Sequence, residues 1–261
     1  MPDVASHPTG SFSWVELATT DPAAAVAFYR AVFAWDVIEH DMGPDGVYTI
    51  FTIRGRDVAA AAGQQPQERQ MGVPPHWNLY VSVSDADAAT RKAAGLGAMV
   101  VVPPFDMMNH GRMSVIQDPS GAMVSLWQPK EHIGVKVNNE PGALCWSELT
   151  SRDPKAAEAF YTSLFGWTVK HSGAATPAEY REFSVAGQPG GGIMEMPAEV
   201  PAQVPSYWMP YFQVANLDAT ISTATATGGH VMIGPAPIPG TGRFAILTDP
   251  QGAMFAGFQR D

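Results

Sequence analysis

Cysteine occurs once in 261 residues, at Cys145, so no disulfide can form within the chain. That usage fits a reducing compartment, and a cytoplasmic location is expected. Positive charge is scarce as well: 15 Lys and Arg against 25 Asp and Glu give a net charge of −10. Nucleic acid and anionic membrane both require a basic footprint, so neither is expected as a partner. Nothing approaches the roughly 18 uninterrupted apolar residues of a membrane span. Met1 to Gly10 has neither a basic start nor an apolar stretch, so a signal peptide is not expected, and Met1 to Ser11 reads as a frayed leader. Phosphate-loop, dinucleotide-loop, G-x-S-x-G and C-x-x-C signatures are all missing. The 7 histidines form no H-x-H, H-E-x-x-H or H-x-x-E-H pair.

Apolar residues are plentiful. Hydrophobic side chains make up 46% of the chain, with 7 Trp and 13 Met, and only 15% of residues are charged. Such a composition can fill two cores of ordinary domain size. The order of residues shows how the chain is divided. Trp14, Glu16, Leu17, Asp21-Pro22, Ala25, Phe28-Tyr29, Phe33 and Trp35 return 132 residues later as Trp146, Glu148, Leu149, Asp153-Pro154, Ala157, Phe160-Tyr161, Phe165 and Trp167. Gly111-Arg112 and Asp118-Pro119-x-Gly121-Ala122-Met123 return at an offset of 131. A period this long marks a duplicated domain. The expected halves are residues 1–135 and 136–261.

Phe12 to Ala18 alternates in character and reads as a strand with two distinct faces. Thr20 or Asp21 can cap the Ala-rich helix that follows, with Pro22 at its first position. Strands are expected at Asp36 to His40, Val47 to Ile53 and Asp57 to Ala62. The pattern restarts with a strand at Trp77 to Val83 and a capped helix at Asp85 to Ala94. Further strands follow near Ala98 to Val102, Arg112 to Gln117 and Ala122 to Gln128. Each half is thus βαβββ twice. Gly63 to Pro75, Pro103 to His110, Pro197 to Pro205 and Gly234 to Gly242 read as loops, Gly190 to Gly192 as a flexible bend, and Pro129 to Glu140 as the inter-domain linker.

Paired βαβββ units, a first strand followed by D-P-x-x-A-x-x-F-Y, and a D-P-x-G hairpin together resemble the vicinal oxygen chelate superfamily. That is the glyoxalase, bleomycin-resistance and extradiol dioxygenase group. The likeness is strongest to tandem-domain glyoxalase-like proteins of actinobacteria, some of them called hydroxylases of aromatic polyketide pathways. The resemblance implies an α+β fold of two tandem domains, each a curled, mostly antiparallel sheet around a cavity with helices outside. It also implies three metal-ligand positions per domain, on successive strands. These fall on Trp14, Asn78 and Ser125 in the first half, and on Trp146, Met209 and Ala256 in the second. None is a histidine or a carboxylate, so no metal and no other cofactor is expected.

Alternation places Trp14 and Glu16 on the cavity face, and likewise Trp146 and Glu148. His76, Asn78 and Tyr80 should join them, with Ser125 and Trp127 from the last strand. The second half offers Tyr207, Met209, Tyr211 and Phe258. Trp77 and Trp208 should face the helices, and Cys145 should point away from the cavity. Two roles remain open for the repeated glutamates. One is structural, accepting backbone N–H bonds or pairing with Arg112 and Arg243; the other is ligand recognition or acid–base chemistry, for which Glu16, Glu148 and His76 are candidates. A cavity of Trp, Tyr, Phe and Met suits a flat aromatic ligand. Three functions compete: sequestration of an aromatic small molecule, a metal-free tailoring enzyme acting on one, or a metal-dependent enzyme with relocated ligands. The first copy, with Asn78, Ser125 and His76, is expected to favour an oxygenated ligand and to host any chemistry. A monomer of two pseudo-symmetric domains or a homodimer is expected.

Overall fold

The structure, a computed structural model, describes residues 4–171 and 180–261. The first half runs β1 (Phe12–Thr19), α1 (Pro22–Phe33), β2 (Asp36–Asp41), β3 (Val47–Ile53) and β4 (Arg56–Gly63), then α2 (Pro66–Gln70), β5 (His76–Ser82), α3 (Ala86–Gly95), β6 (Met99–Met107), β7 (Gly111–Gln117) and β8 (Met123–Pro129). The second half repeats it: β9 (Leu144–Ser151), α4 (Pro154–Phe165), β10 (Thr168–His171), β11 (Arg181–Val185), β12 (Gln188–Glu195), β13 (Tyr207–Gln213), α5 (Leu217–Ala226), β14 (His230–Ile238), β15 (Gly242–Thr248) and β16 (Met254–Arg260).

The helices begin where the sequence places caps. Asp21, Asp85, Asp153 and Asn216 each accept a hydrogen bond from the backbone N–H three residues on. This satisfies donors that the first turn leaves orphaned.

Each half forms one eight-stranded sheet, in the order β2-β3-β4-β1-β5-β8-β7-β6 and β10-β11-β12-β9-β13-β16-β15-β14. The pairs β1–β4, β5–β8, β9–β12 and β13–β16 are parallel, and the rest are antiparallel. The sheets are open, and their two faces do different work. One face of each, carrying Val15, Leu17, Leu79 and Leu126 or Leu149, Trp208, Phe212 and Phe255, joins the helices in a single core shared by both halves. The other face of each sheet carries its own smaller apolar cluster.

The shared core is built reciprocally. Tyr29 on α1 donates to Asp249 of the second half (3.1 Å) and accepts from the Trp77 indole (3.1 Å). Tyr161 on α4 accepts from Trp208 (2.9 Å) and lies against Asp118 of the first half. Trp35 donates to the Gly142 carbonyl (2.9 Å), and Trp167 donates to that of Gly10 (2.8 Å). The indole bonds recur at the repeat offset and Tyr161 approaches Asp118 as Tyr29 does Asp249, so the duplicated helix motif holds the two halves together. Asp118 and Asp249 also accept from the backbone N–H groups of their own hairpins, which fixes the carboxylates for these cross-domain contacts.

Several expected loops turn out to be ordered pairing. Pro66–Gln70 forms a short helix within the Gly63 to Pro75 segment, β6 continues through Pro103 and Pro104 to Met107, and β14 extends to Ile238. Prolines are tolerated there because β6 and β14 are edge strands with one unpaired side. Gly190 to Gly192 lies inside β12, not in a bend. The leader is not frayed where it is described: Gly10 N–H donates to Ser82, and His7 contacts the Val135 carbonyl. Residues 1–3 lie outside the described part. Pro129 to Glu140 is not a free linker either, for Val135 is buried in the first inner cluster and Val137 in the shared core.

Candidate functional site

Strand alternation turns Trp14 and Glu16 onto the inner face, while Val15 and Leu17 enter the shared core. The register sets Trp14 opposite Tyr80 and Glu16 opposite Asn78, with Tyr80 in turn opposite Ser125. The second sheet places Trp146 opposite Tyr211 and Glu148 opposite Met209, with Tyr211 opposite Ala256. Trp127 and Phe258 pack in the two inner clusters, and Tyr207 borders the second. Trp77 and Trp208 face the shared core.

At the centre of each inner face lies a carboxylate held by two tyrosines. Tyr48 donates to Glu16 Oε2 (2.7 Å) and Tyr80 to Oε1 (3.3 Å). Tyr180 donates to Glu148 Oε2 (2.9 Å) and Tyr211 to Oε1 (2.7 Å). The Trp146 indole N–H donates to the Tyr180 hydroxyl (3.0 Å), so a Trp–Tyr–Glu–Tyr chain of hydrogen bonds results. In the first domain the Ser125 hydroxyl lies against Tyr80; Ala256 takes its place in the second. Burial pushes both carboxyls above the usual glutamate range, and the tyrosine hydrogen bonds only partly oppose this. The same burial, with a carboxylate beside them, pushes Tyr48, Tyr80, Tyr180 and Tyr211 upward.

Neither structural partner expected for the glutamates is the real one. Arg112 pairs with Asp87 at the start of α3 (2.6 Å) and with Asp106 (3.5 Å), and Arg243 pairs with Asp218 on α5 (2.6 Å). Both arginines are drawn to the helix side of the sheet. The tyrosines that take their place, Tyr48 and Tyr180, were not among the residues singled out from the sequence. They stand far from the glutamates along the chain, but at the repeat offset of 132, and that offset was the signal. His76 does not bond Glu16. Its Nδ1 contacts the Pro74 carbonyl (2.9 Å), and its Nε2 lies 3.9 Å from Glu68. Cys145 packs against the inner cluster, contrary to expectation, because the β9–β13 register shifts beside it. A bulge of this kind reverses the alternation on which the expectation rested. Burial pushes its thiol up to about 12, which leaves it unreactive as a nucleophile.

Two grooves of about 190 and 290 Å³ open at the helix seams between the halves. Their polar groups are already employed: Asp85 caps α3, and the Lys92 ammonium is taken by the Leu164 carbonyl (2.8 Å). The inner faces remain the candidate sites.

The fold and its duplicated inner faces define a class. The chain belongs to the glyoxalase/bleomycin resistance protein/dioxygenase superfamily, whose model matches residues 11–126 and again 132–256. Among its relatives, CFP32 of Mycobacterium tuberculosis, whose name assigns it provisionally to the glyoxylases, is 43% identical across 98% of this chain and 97% of that protein. The anthracycline biosynthesis protein DnrV of Streptomyces peucetius is 33% identical across 95% of this chain and 92% of that protein. The crystal structure of the Mn(II)-bound glyoxalase from Novosphingobium aromaticivorans superposes with a TM-score of 0.68, covering 97% of this chain and 82% of that one, at 13% identity.

A metal therefore has to be tested against the residues present. The positions implied for its ligands hold Trp14, Asn78 and Ser125, and Trp146, Met209 and Ala256. Among the described residues no group of three His, Cys, Asp or Glu side chains converges as a metal site would require. Both oxygens of each central carboxylate already accept from tyrosine. The donor set does not fit a divalent ion. Among the described residues no helix is long and apolar enough to cross a membrane.

Proposed function

We propose that this protein binds an aromatic or polycyclic small molecule on its inner faces without a metal, in a sequestering, resistance or biosynthetic accessory role. The observation that carries the reading is the replacement of the implied metal donors by a repeated Tyr–Glu–Tyr chain beside a tryptophan. An aromatic wall offers stacking surface, and a carboxylate fixed by phenols offers a polar contact for a ligand hydroxyl. Likeness to a protein named for anthracycline biosynthesis supports a fused-ring ligand.

A second reading has its own support. The buried Glu16 and Glu148 carboxyls hold their protons above the usual range, as a group that exchanges a proton with a bound ligand would. A tailoring enzyme acting on an aromatic polyketide-type substrate would use Glu16 or Glu148 in this way. A metal-dependent enzyme with relocated ligands is the reading the donor set supports least.

A screen of polycyclic aromatics by quenching of tryptophan fluorescence, paired with elemental analysis, tests the proposal. Saturable quenching with less than about 0.1 divalent ion per chain is expected. One or two tightly held ions per chain would overturn it. Conversion of a ligand that also binds would move the assignment to the enzyme.

A further inference from the structure

The two inner faces share a design, but they are open at different places. Trp14 is 3% exposed and Ser13 is fully buried, whereas their counterparts Trp146 and Cys145 are partly open. Met113 is buried, and its counterpart Phe244 is partly open. Val115 and Ile246 are both partly open, and Trp127 and Phe258 are both buried, while at the floor the order is reversed: Glu16 and Asn78 are partly open, and Glu148 and Met209 are buried.

The closure over Trp14 is made by the segment that follows β8. His132 stands edge-on against the Trp14 ring, with centroids 4.5 Å apart and planes at 88°. The carbonyl of the same residue accepts the Trp127 indole N–H (2.9 Å). Gly134, at φ +108°, crosses so close to β1 that an added Cβ would lie 2.0 Å from the Ser13 carbonyl oxygen. Val135 then donates its N–H to that carbonyl (2.7 Å) and buries its whole side chain in the inner cluster. Lys136 fastens the far end to Asp57 through its backbone N–H (2.8 Å) and its ammonium (2.7 Å). Val4 and His7 of the N-terminal segment lie over the top, bonding the carbonyls of Lys136 and Val135.

We infer that the strap of residues 131–137 is a built-in occupant of the first inner face, and that the planar aromatic ligand binds the second, stacking on Trp146 and Tyr207 beside Glu148. The inference rests on the ligand-binding reading above and names which of the two sites does the binding. It reverses the expectation from the sequence, in which the more polar first copy was preferred. The strap covers the Trp14 ring on which a planar ligand would stack, and displacing it exposes Val135 and breaks at least three hydrogen bonds. On the second face Trp146 is already partly open, so stacking on it needs no such displacement. There Trp146, Tyr207, Phe244 and Met254 leave aromatic and thioether surface partly open above the buried Met209, Tyr211 and Phe258. The Glu148 carboxylate, to which both phenols already donate, gives a hydroxyl-bearing ring a hydrogen-bond acceptor at the floor.

Titration of the full chain with quinizarin, a planar dihydroxyanthraquinone, tests this by calorimetry and tryptophan quenching. Four variants accompany it, all at partly open positions so that folding is retained. Trp146→Ala and Tyr207→Ala alter the second face; Asn78→Ala and His76→Ala alter the first. One equivalent bound, with affinity reduced at least about tenfold by the first two variants and within about threefold of the parent for the others, is the expected result. Two equivalents, or losses confined to the first-face variants, would overturn the assignment to the second face while leaving ligand binding by the inner faces intact. No binding, or binding indifferent to all four, would sink both.

Discussion

Gly192→Ala should dismantle the second hydrogen-bond chain without touching any of its members. Gly192 lies in β12 opposite Glu148, and a Cβ there would fall 1.8 Å from the Tyr180 hydroxyl oxygen and 2.3 Å from the ring carbon bearing it. No small adjustment removes such an overlap, so the phenol must leave. Its departure takes the bond to Glu148 Oε2 (2.9 Å) and strands the Trp146 N–H that it accepts (3.0 Å). A hydrogen bond to a buried carboxylate contributes about 1.5–3 kcal/mol. Replacing glycine within a strand returns about 0.5–1 kcal/mol through the unfolded chain. The net expectation is a destabilisation of about 0.5–2.5 kcal/mol, which for a chain of this size lowers Tm by about 1–10 °C. The first domain supplies the contrast, since Ala60 occupies the corresponding position and Tyr48 still reaches Glu16 at 2.7 Å. Thermal unfolding followed by far-ultraviolet circular dichroism measures the shift, and Trp146 fluorescence reports the lost bond. A Tm within about 1 °C of the parent, with unchanged fluorescence, would show that Tyr180 is not held as described.

Tyr29→Phe leaves the Asp249 carboxylate and the Trp77 N–H each short of a partner, at a cost of about 2–4 kcal/mol in denaturant unfolding. Tyr161→Phe should cost a similar amount at the pseudo-equivalent seam, and a much smaller loss at either would refute the reciprocal interface. Glu16 and Glu148 bind protons more tightly when folded than unfolded, so the native state holds more protons as pH rises above the ordinary glutamate range. Their contribution to stability therefore falls with rising pH through that window, and Glu148→Gln should flatten part of the slope, as unfolding at a series of pH values will show. His132 acts in the opposite sense: burial lowers it from 6.5 to about 4, so stability is lost as pH falls through that interval. His132→Asn should remove this acid sensitivity; an unchanged acid limb would refute the burial of the strap.

Much of this protein could be read from the order of its residues. The Asp21-Pro22 and Asp153-Pro154 starts announce capped helices, since a carboxylate and a ring-locked φ suit a first turn wherever they occur. Period-two alternation was enough to turn Trp14 with Glu16, and Trp146 with Glu148, to one face. Both signals are local. A repeat offset of 132 carried the topology, because two copies of one pattern fold alike.

What only the tertiary structure decided concerns partners distant in the chain. Tyr48 and Tyr180 meet the glutamates from neighbouring parts of the sheet, 32 residues away in each case, and local pattern does not encode which phenol arrives at a carboxylate. Arg112 and Arg243 share a motif with the repeat yet belong to the helix side, where Asp87 and Asp218 capture them. A single register shift reversed the side on which Cys145 lies. The strap is the clearest case. Pro129 to Glu140 reads as a charged linker, yet Ser13 at the start of β1 has a carbonyl with no partner from β4, and the segment supplies it while burying Val135. Sequence determines which elements form and which faces they bury; closure of one inner face depends on unpaired backbone that exists only once the sheet has assembled.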